Sequence, residues 1–229
     1  MKVAVFHGSP RKGNTFKATN IFMNEMKQQG EVEFTEFFLP EALPKFCLGC
    51  QLCLSGQKCP HSEYVSPILS AILESNALIF TTPHHGASLM SAAMKNLLDH
   101  LDFLIMLVAP RKEIFSKKAF IITTGTGSTA AIKPITKFLK NWGINRVNSF
   151  GIKMFIDKWD KMPNAKREKL DKILRKKARK FYKLKKKRPY ISTIFMYNIF
   201  KFIMKKYIGE GAYPYEYWKE NGYLKKRPF

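Results

Sequence analysis

A doubly wound α/β fold on a five-stranded parallel sheet is predicted by three observations. Five short runs rich in Val, Ile and Phe alternate with segments of helical periodicity. Three of these runs end in loops of small, hydroxylated and proline residues, at positions 8–15, 81–86 and 124–129. Strands separated by helices are joined by crossovers, which makes the sheet parallel and covers both its faces.

Each element carries its own signal. Residues 3–6 form an all-apolar run, as a strand buried on both faces should. Residues 14–29 read as a helix carrying Phe16, Ile21, Phe22 and Met26, and residues 31–38 alternate as a second strand. A cysteine-bearing loop at 44–60 precedes a helix at 64–74 and a third strand at 77–80. A helix is expected over about 87–107, then a strand at 118–123, a helix at 130–142 and a fifth strand at 146–155. Ligand loops after strands one, three and four fit the flavodoxin-like strand order, whose ligand sits outside the carboxyl ends at the switch point.

Composition sets the bounds. The chain has 229 residues, 45% of them hydrophobic, enough for one α/β domain with an appendage. Its net charge of +23 is uneven: residues 1–150 carry +6 and residues 151–229 carry +17. Residues 1–155 therefore read as the ligand-binding domain, and 156–229 as a basic, aromatic-rich helical extension packed on it or on a partner. The first strand begins at once, without a secretory signal, and no apolar run nears the roughly 20 residues of a membrane span. The cytoplasm is the expected location.

The loop Gly8-Ser9-Pro10-Arg11-Lys12-Gly13-Asn14-Thr15 joins a strand to a helix N-terminus. Converging backbone N–H groups, the Ser9 and Thr15 hydroxyls and the helix dipole suit a phosphate there. Its spacing is neither Gly-x-Gly-x-x-Gly nor a P-loop, so the dinucleotide and P-loop readings lose ground, and the loop points to the single phosphate of a flavin mononucleotide, FMN. Cys47, Cys50, Cys53 and Cys59, with Pro60 after the last, fall at gaps close to those of bacterial ferredoxins. Four free thiols or a [4Fe-4S] cluster both satisfy that spacing. Zinc lacks the separated pairs of a ribbon, and a disulfide is the weaker reading.

Together these motifs, with Thr82-Pro83 and Met94-Lys95-Asn96-Leu97-Leu98-Asp99, resemble the NAD(P)H-dependent FMN reductase family of flavodoxin-like proteins over about residues 1–150. The cysteine run is similar to that of iron–sulfur flavoproteins. The resemblance implies that Ser9, Arg11, Lys12, Gly13, Asn14 and Thr15 hold the FMN phosphate. It also implies that backbone at Pro83, His84, His85 and Gly86, and at Thr124, Gly125 and Thr126, borders the flavin ring. The Gly125 and Thr126 amides are the candidates for stabilising reduced flavin. Two departures stand out: His84-His85 replaces an aromatic residue, and Cys59-Pro60-His61-Ser62-Glu63 lacks the acidic pair. The two histidines read as rim residues without a proton role.

Residues 166–188 hold 14 Lys and Arg around an apolar stripe of Leu170, Ile173, Leu174, Phe181 and Leu184. They read as a packed helix with a solvated outer face. Residues 190–208 are more apolar, with Asn198, Lys201 and Lys205 on one face; they suit an anionic membrane surface, a sheet edge or a partner subunit. The aromatics of residues 213–218 are expected to pack and to help close the flavin pocket. No nucleic-acid-binding signature accompanies the charge.

Three functions follow. The first is an FMN-dependent oxidoreductase using NADH or NADPH to reduce a small acceptor (flavin, quinone or nitro compound), with the homodimeric state common among relatives. The second is an iron–sulfur flavoprotein carrying FMN and a [4Fe-4S] cluster. The third is a membrane- or partner-binding module with a vestigial flavin site.

Overall fold

The computed structural model describes residues 1–84, 89–155, 158–185 and 189–229. Five strands, β1 (Lys2–His7), β2 (Glu33–Phe38), β3 (Ala77–Pro83), β4 (Lys118–Gly125) and β5 (Arg146–Lys153), form one sheet. Their order is β2-β1-β3-β4-β5, with every pair parallel. The connecting helices are α1 (Asn14–Lys27), α2 (Leu39–Ala42), α3 (Ser62–Glu74), α4 (Ala92–His100), α5 (Lys112–Phe115) and α6 (Ile132–Asn141). After β5 come α7 (Asn164–Lys183), α8 (Ile191–Ile203) and α9 (Tyr213–Glu220).

Period-two alternation divides the strands between two layers. Ala4, Phe6, Leu78, Phe80 and Ile121 face α3, α4 and α6. Val3, Val5, Ile79, Phe120 and Ile122 face α1 and α7. On α7 the residues turned inward are Leu174, Ala178 and Phe181, four and three apart. The highly basic helix thus lays its apolar stripe on the sheet and leaves most of its cations outside.

Polar contacts fix this layer. Glu25 of α1 is buried and is held by Arg175 and Arg179 of α7 at 3.1 and 2.8 Å. Lys117 and Lys118 diverge across the sheet at the start of β4. The Lys117 ammonium donates to the Leu73 carbonyl at 2.8 Å and to that of Ser75, at the end of α3. Lys118 donates to the carbonyls of Phe181, Tyr182 and Leu184 at 2.7, 2.8 and 3.1 Å, closing the end of α7. Burial pushes both lysines down to about 8.

Some boundaries differ from the sequence expectation. The long helix over 87–107 is shorter, because the Ser91 hydroxyl accepts the Met94 N–H at 3.3 Å and starts α4 there. Beyond His100 the chain tightens into a 3-10 turn, Asp102–Leu104, that drops Leu101, Leu104 and Met106 into the core. Residues 87 and 88 lie outside the described residues. β3 and β4 run on to Pro83 and Gly125, so these candidate ligand positions are themselves strand ends. β5 stops at Lys153, short of Phe155, and α7 ends one residue before Leu184.

Candidate active site

The sheet reverses direction of growth between β1 and β3, and there the carboxyl ends of β1, β3 and β4 meet. His7 pairs in register with Thr81, and Pro83 with Thr124. The loop after β1 leaves the sheet with the Gly8 N–H donating to the Thr81 carbonyl at 2.7 Å. A Cβ on Gly8 would lie 2.5 Å from Ser91 Oγ and 3.1 Å from the Thr81 oxygen, so the close approach of the loop requires glycine.

Thr15 is buried, and its hydroxyl meets the Thr124 hydroxyl at 2.6 Å. It ties the first turn of α1 to the fourth strand. The His84 N–H donates to the Thr124 carbonyl at 2.8 Å, so one strand end collects both neighbouring loops. Gly125 has φ +135°, and a Cβ there would lie 2.7 Å from His84 Cβ. The Thr126 hydroxyl lies 3.4 Å from His84 Nδ1, while His84 Nε2 is buried with no hydrogen-bond partner among the described residues. Orphaned buried nitrogens are uncommon, and this one fits a site completed by a ligand. His85 and Gly86 lie outside the described residues.

The mouth of α1 is open. Its N-cap is Gly13, which brings no side chain to the first-turn N–H groups, and a Cβ there would meet nothing within 4 Å. Ser9 Oγ accepts the Arg11 N–H at 3.2 Å and shapes the loop; Arg11 and Lys12 are exposed beside it. The Lys12 ammonium sits 5.8 Å from both the Phe16 and Phe38 rings. Asn14 is the first residue of α1. A helix N-terminus with exposed cations and no side-chain cap fits an anionic group such as the FMN phosphate.

Sequence reasoning missed His7. It is buried at the end of β1, 2.8 Å from Glu36 and 3.2 Å from the Thr81 hydroxyl, and it stacks on Phe38. Its position directly before Gly8 was the available signal. Burial lowers its pKa from 6.5, partly opposed by Glu36.

The cysteine loop lies over α4, clamped by Asn96. The Asn96 amide donates to the carbonyls of Leu43 and Lys45 at 3.3 and 2.9 Å, and its oxygen accepts the Cys47 N–H at 2.9 Å. Left-handed backbone at Gly49, Gln51 and Gly56 curls the loop. As a result Cys47, Cys50, Cys53 and Cys59 line one small cavity of about 20 Å³, together with His61 and His100. None of the four is paired as a disulfide in this structure. Burial raises the Cys53 pKa, with Cys59 and Cys47 adding to it.

The two histidines are the second omission. His61 Nδ1 and His100 Nε2 are 3.2 Å apart, and the donor atoms of Cys59, His61 and His100 all lie within 4.8 Å of one another. His100 Nδ1 is 3.1 Å from the Asn96 carbonyl, which places its proton there and leaves Nε2 as an acceptor or ligand. Thirty-nine residues separate the two histidines, so only folding pairs them.

Residues 1–158 match the family of NADPH-dependent FMN reductases. The chain belongs to that family. An iron–sulfur flavoprotein of Methanocaldococcus jannaschii is 35% identical over 101 residues, 43% of this chain and 51% of that one. A second, from Archaeoglobus fulgidus, is 30% identical over 43% of this chain and 48% of its own length. These two matches thus span about half the length of each relative. Another A. fulgidus iron–sulfur flavoprotein aligns over 98% of this FMN reductase homologue and all of its own length, at 23% identity.

Among solved structures, the NAD(P)H:quinone oxidoreductase of Methanothermobacter marburgensis superposes with TM-score 0.62 and 16% identity. That match covers 78% of this chain and 96% of the other. The azoreductase of Bacillus anthracis str. Sterne gives 0.58 and 15%, over 80% and 98%. These two likenesses support the flavodoxin-like fold.

Proposed function

We propose that this chain draws electrons from NADH or NADPH and delivers them, by way of bound FMN, to a small acceptor such as a free flavin, a quinone or a nitro compound. One observation carries the reading. Three strand-end loops are bonded together through Thr15, Thr124 and His84 around an open, cationic helix N-terminus. FMN, when bound, supplies the redox chemistry, accepting electrons from the nicotinamide and releasing them singly or in pairs. The chain's part is to bind and orient. Ser9, Arg11 and Gly13 with the first turn of α1 would hold the phosphate, and the Pro83–His84 and Thr124–Thr126 backbone would border the ring. His84 Nε2 offers a polar contact at that edge. The quinone reductase and azoreductase neighbours support the choice of acceptor class.

A second reading is favoured by the cysteine cavity. Four thiols around one space suit a soft iron centre, and several relatives are named iron–sulfur flavoproteins. In that reading Cys47, Cys50, Cys53 and Cys59 would hold a [4Fe-4S] cluster, for which the loop must open beyond its present cavity of about 20 Å³, and the chain would act as an electron carrier.

One preparation tests both. Protein purified without oxygen is expected to be yellow, or to become so on soaking in FMN, and then to oxidise NADH or NADPH. Arg11→Met should weaken FMN binding roughly 10-fold. Protein that stays colourless after soaking overturns the proposal. Iron and acid-labile sulfide in equal amounts support the cluster. A single metal ion without sulfide instead assigns the cavity to Cys59, His61 and His100.

A further inference from the structure

Helix α8 turns an apolar face outward. Ile191, Phe195, Ile199 and Phe202 are 86%, 65%, 39% and 55% exposed. They are spaced four, four and three residues apart, so they form one stripe. The sequence expectation gave a face to Asn198, Lys201 and Lys205. In the fold, Asn198 and Lys205 flank the apolar stripe while Lys201 is half-buried.

The helix cannot roll this stripe inward, because its other face is committed. Thr193 Oγ and the Tyr190 N–H both donate to Asn145 Oδ1, at 2.6 and 3.1 Å. Tyr197 stacks on Trp218 with ring centroids 5.4 Å apart, its hydroxyl donates to the Tyr223 carbonyl, and Met204 is fully buried beside them. Exposed aromatic and aliphatic groups on a rigidly seated helix mark a surface meant to be covered.

We propose that this face docks α8 flat on an anionic lipid bilayer. Charge identifies the occupant. Residues 189–208 contain no acidic side chain; Lys201 lies in the last turn of α8, and Lys205 and Lys206 in the π-helical turn, Met204–Ile208, that follows it. The Lys206 ammonium lies over the Phe202 and Tyr207 rings at 5.4 and 5.5 Å. Lys201 reaches the Lys225 carbonyl at 3.4 Å, which draws Lys225, Lys226 and Arg227 to the same end. An apolar stripe bordered by lysines suits the boundary between acyl chains and anionic headgroups, with the long stems snorkelling. A second copy is disfavoured, because Lys205 and Lys206 beside the stripe, with no acidic side chain in residues 189–208, would face the same cations of the other copy. The helix lies on the membrane and does not cross it: no helix among the described residues is long and apolar enough to span.

Co-sedimentation of the full-length chain with vesicles tests the proposal. The protein is expected to pellet with phosphatidylcholine vesicles containing phosphatidylglycerol, less so as salt rises, and not with phosphatidylcholine alone. Phe195→Ser combined with Phe202→Ser should weaken binding roughly 30-fold. Lys205→Gln with Lys206→Gln should weaken it roughly 10-fold. Ile191→Ser, at the most exposed position, is an independent probe should the double variant unfold. Failure of the native chain to pellet at low salt overturns the proposal, as does equal binding by a folded apolar variant. So does a fall from dimer to monomer in the Phe195→Ser, Phe202→Ser protein by light scattering, which would give the face to a second copy.

Discussion

His7 joins the first strand to the first ligand loop, and its environment makes the junction acid-sensitive. Its folded pKa lies below 6.5, chiefly through burial, whereas the unfolded chain keeps the ordinary value. Below pH 6.5 the unfolded state therefore binds more protons than the folded state, and stability falls as pH drops through the folded pKa. Urea denaturation between pH 7 and 5 should show this loss. In His7→Gln the slope within that window should be shallower, whatever the variant's absolute stability. Equal slopes would remove His7 as the cause. The residue also shows why this site was only partly legible: a histidine at a strand end is unremarkable until Glu36, Thr81 and Phe38 surround it.

Among the elements, α7 has the most to explain, because a helix so rich in Lys and Arg must still dock. Three apolar groups do most of this, and Glu25 supplies the directional part by accepting from two arginines. Arg175 and Arg179 are 41% and 48% exposed while Glu25 is 3% exposed, so the desolvation cost falls on the carboxylate. Arg175→Met with Arg179→Met should leave Glu25 buried and unpaired, and destabilise the chain by about 2–4 kcal/mol in urea unfolding. Adding Glu25→Leu to that background should recover most of the loss. A triple variant as unstable as the double would show that packing, and not the stranded charge, sets the cost. Helical periodicity revealed the stripe on α7, but no local signal revealed that Glu25, 150 residues earlier, would receive Arg175.

For the molecule as a whole, both faces of the sheet must be covered. The layer over Val3, Val5, Ile79, Phe120 and Ile122 consists of α1 and α7, and α7 lies within the basic region beyond residue 155. A chain ending at residue 163 should expose that layer. It is expected to lose its near-ultraviolet circular dichroism, bind the dye ANS and unfold without cooperativity. Cooperative unfolding of the truncated chain would show instead that α1 alone closes the face.

Short-range patterning determined much of this protein. Buried strands announce themselves as apolar runs, helices as 3.6-residue stripes, and the loop at residues 8–15 by its small and hydroxylated residues, since each signal is complete within a few neighbouring positions. What folding alone decided depended on residues distant in sequence. Thr15 turned to Thr124 and not to open solvent, His61 met His100 beside Cys59, and α8 spent Tyr197 and Met204 on the core while leaving Phe195 and Phe202 outside. Periodicity gives a helix its faces; which face is buried is set by the surface it meets, and that surface exists only once the chain has closed on itself.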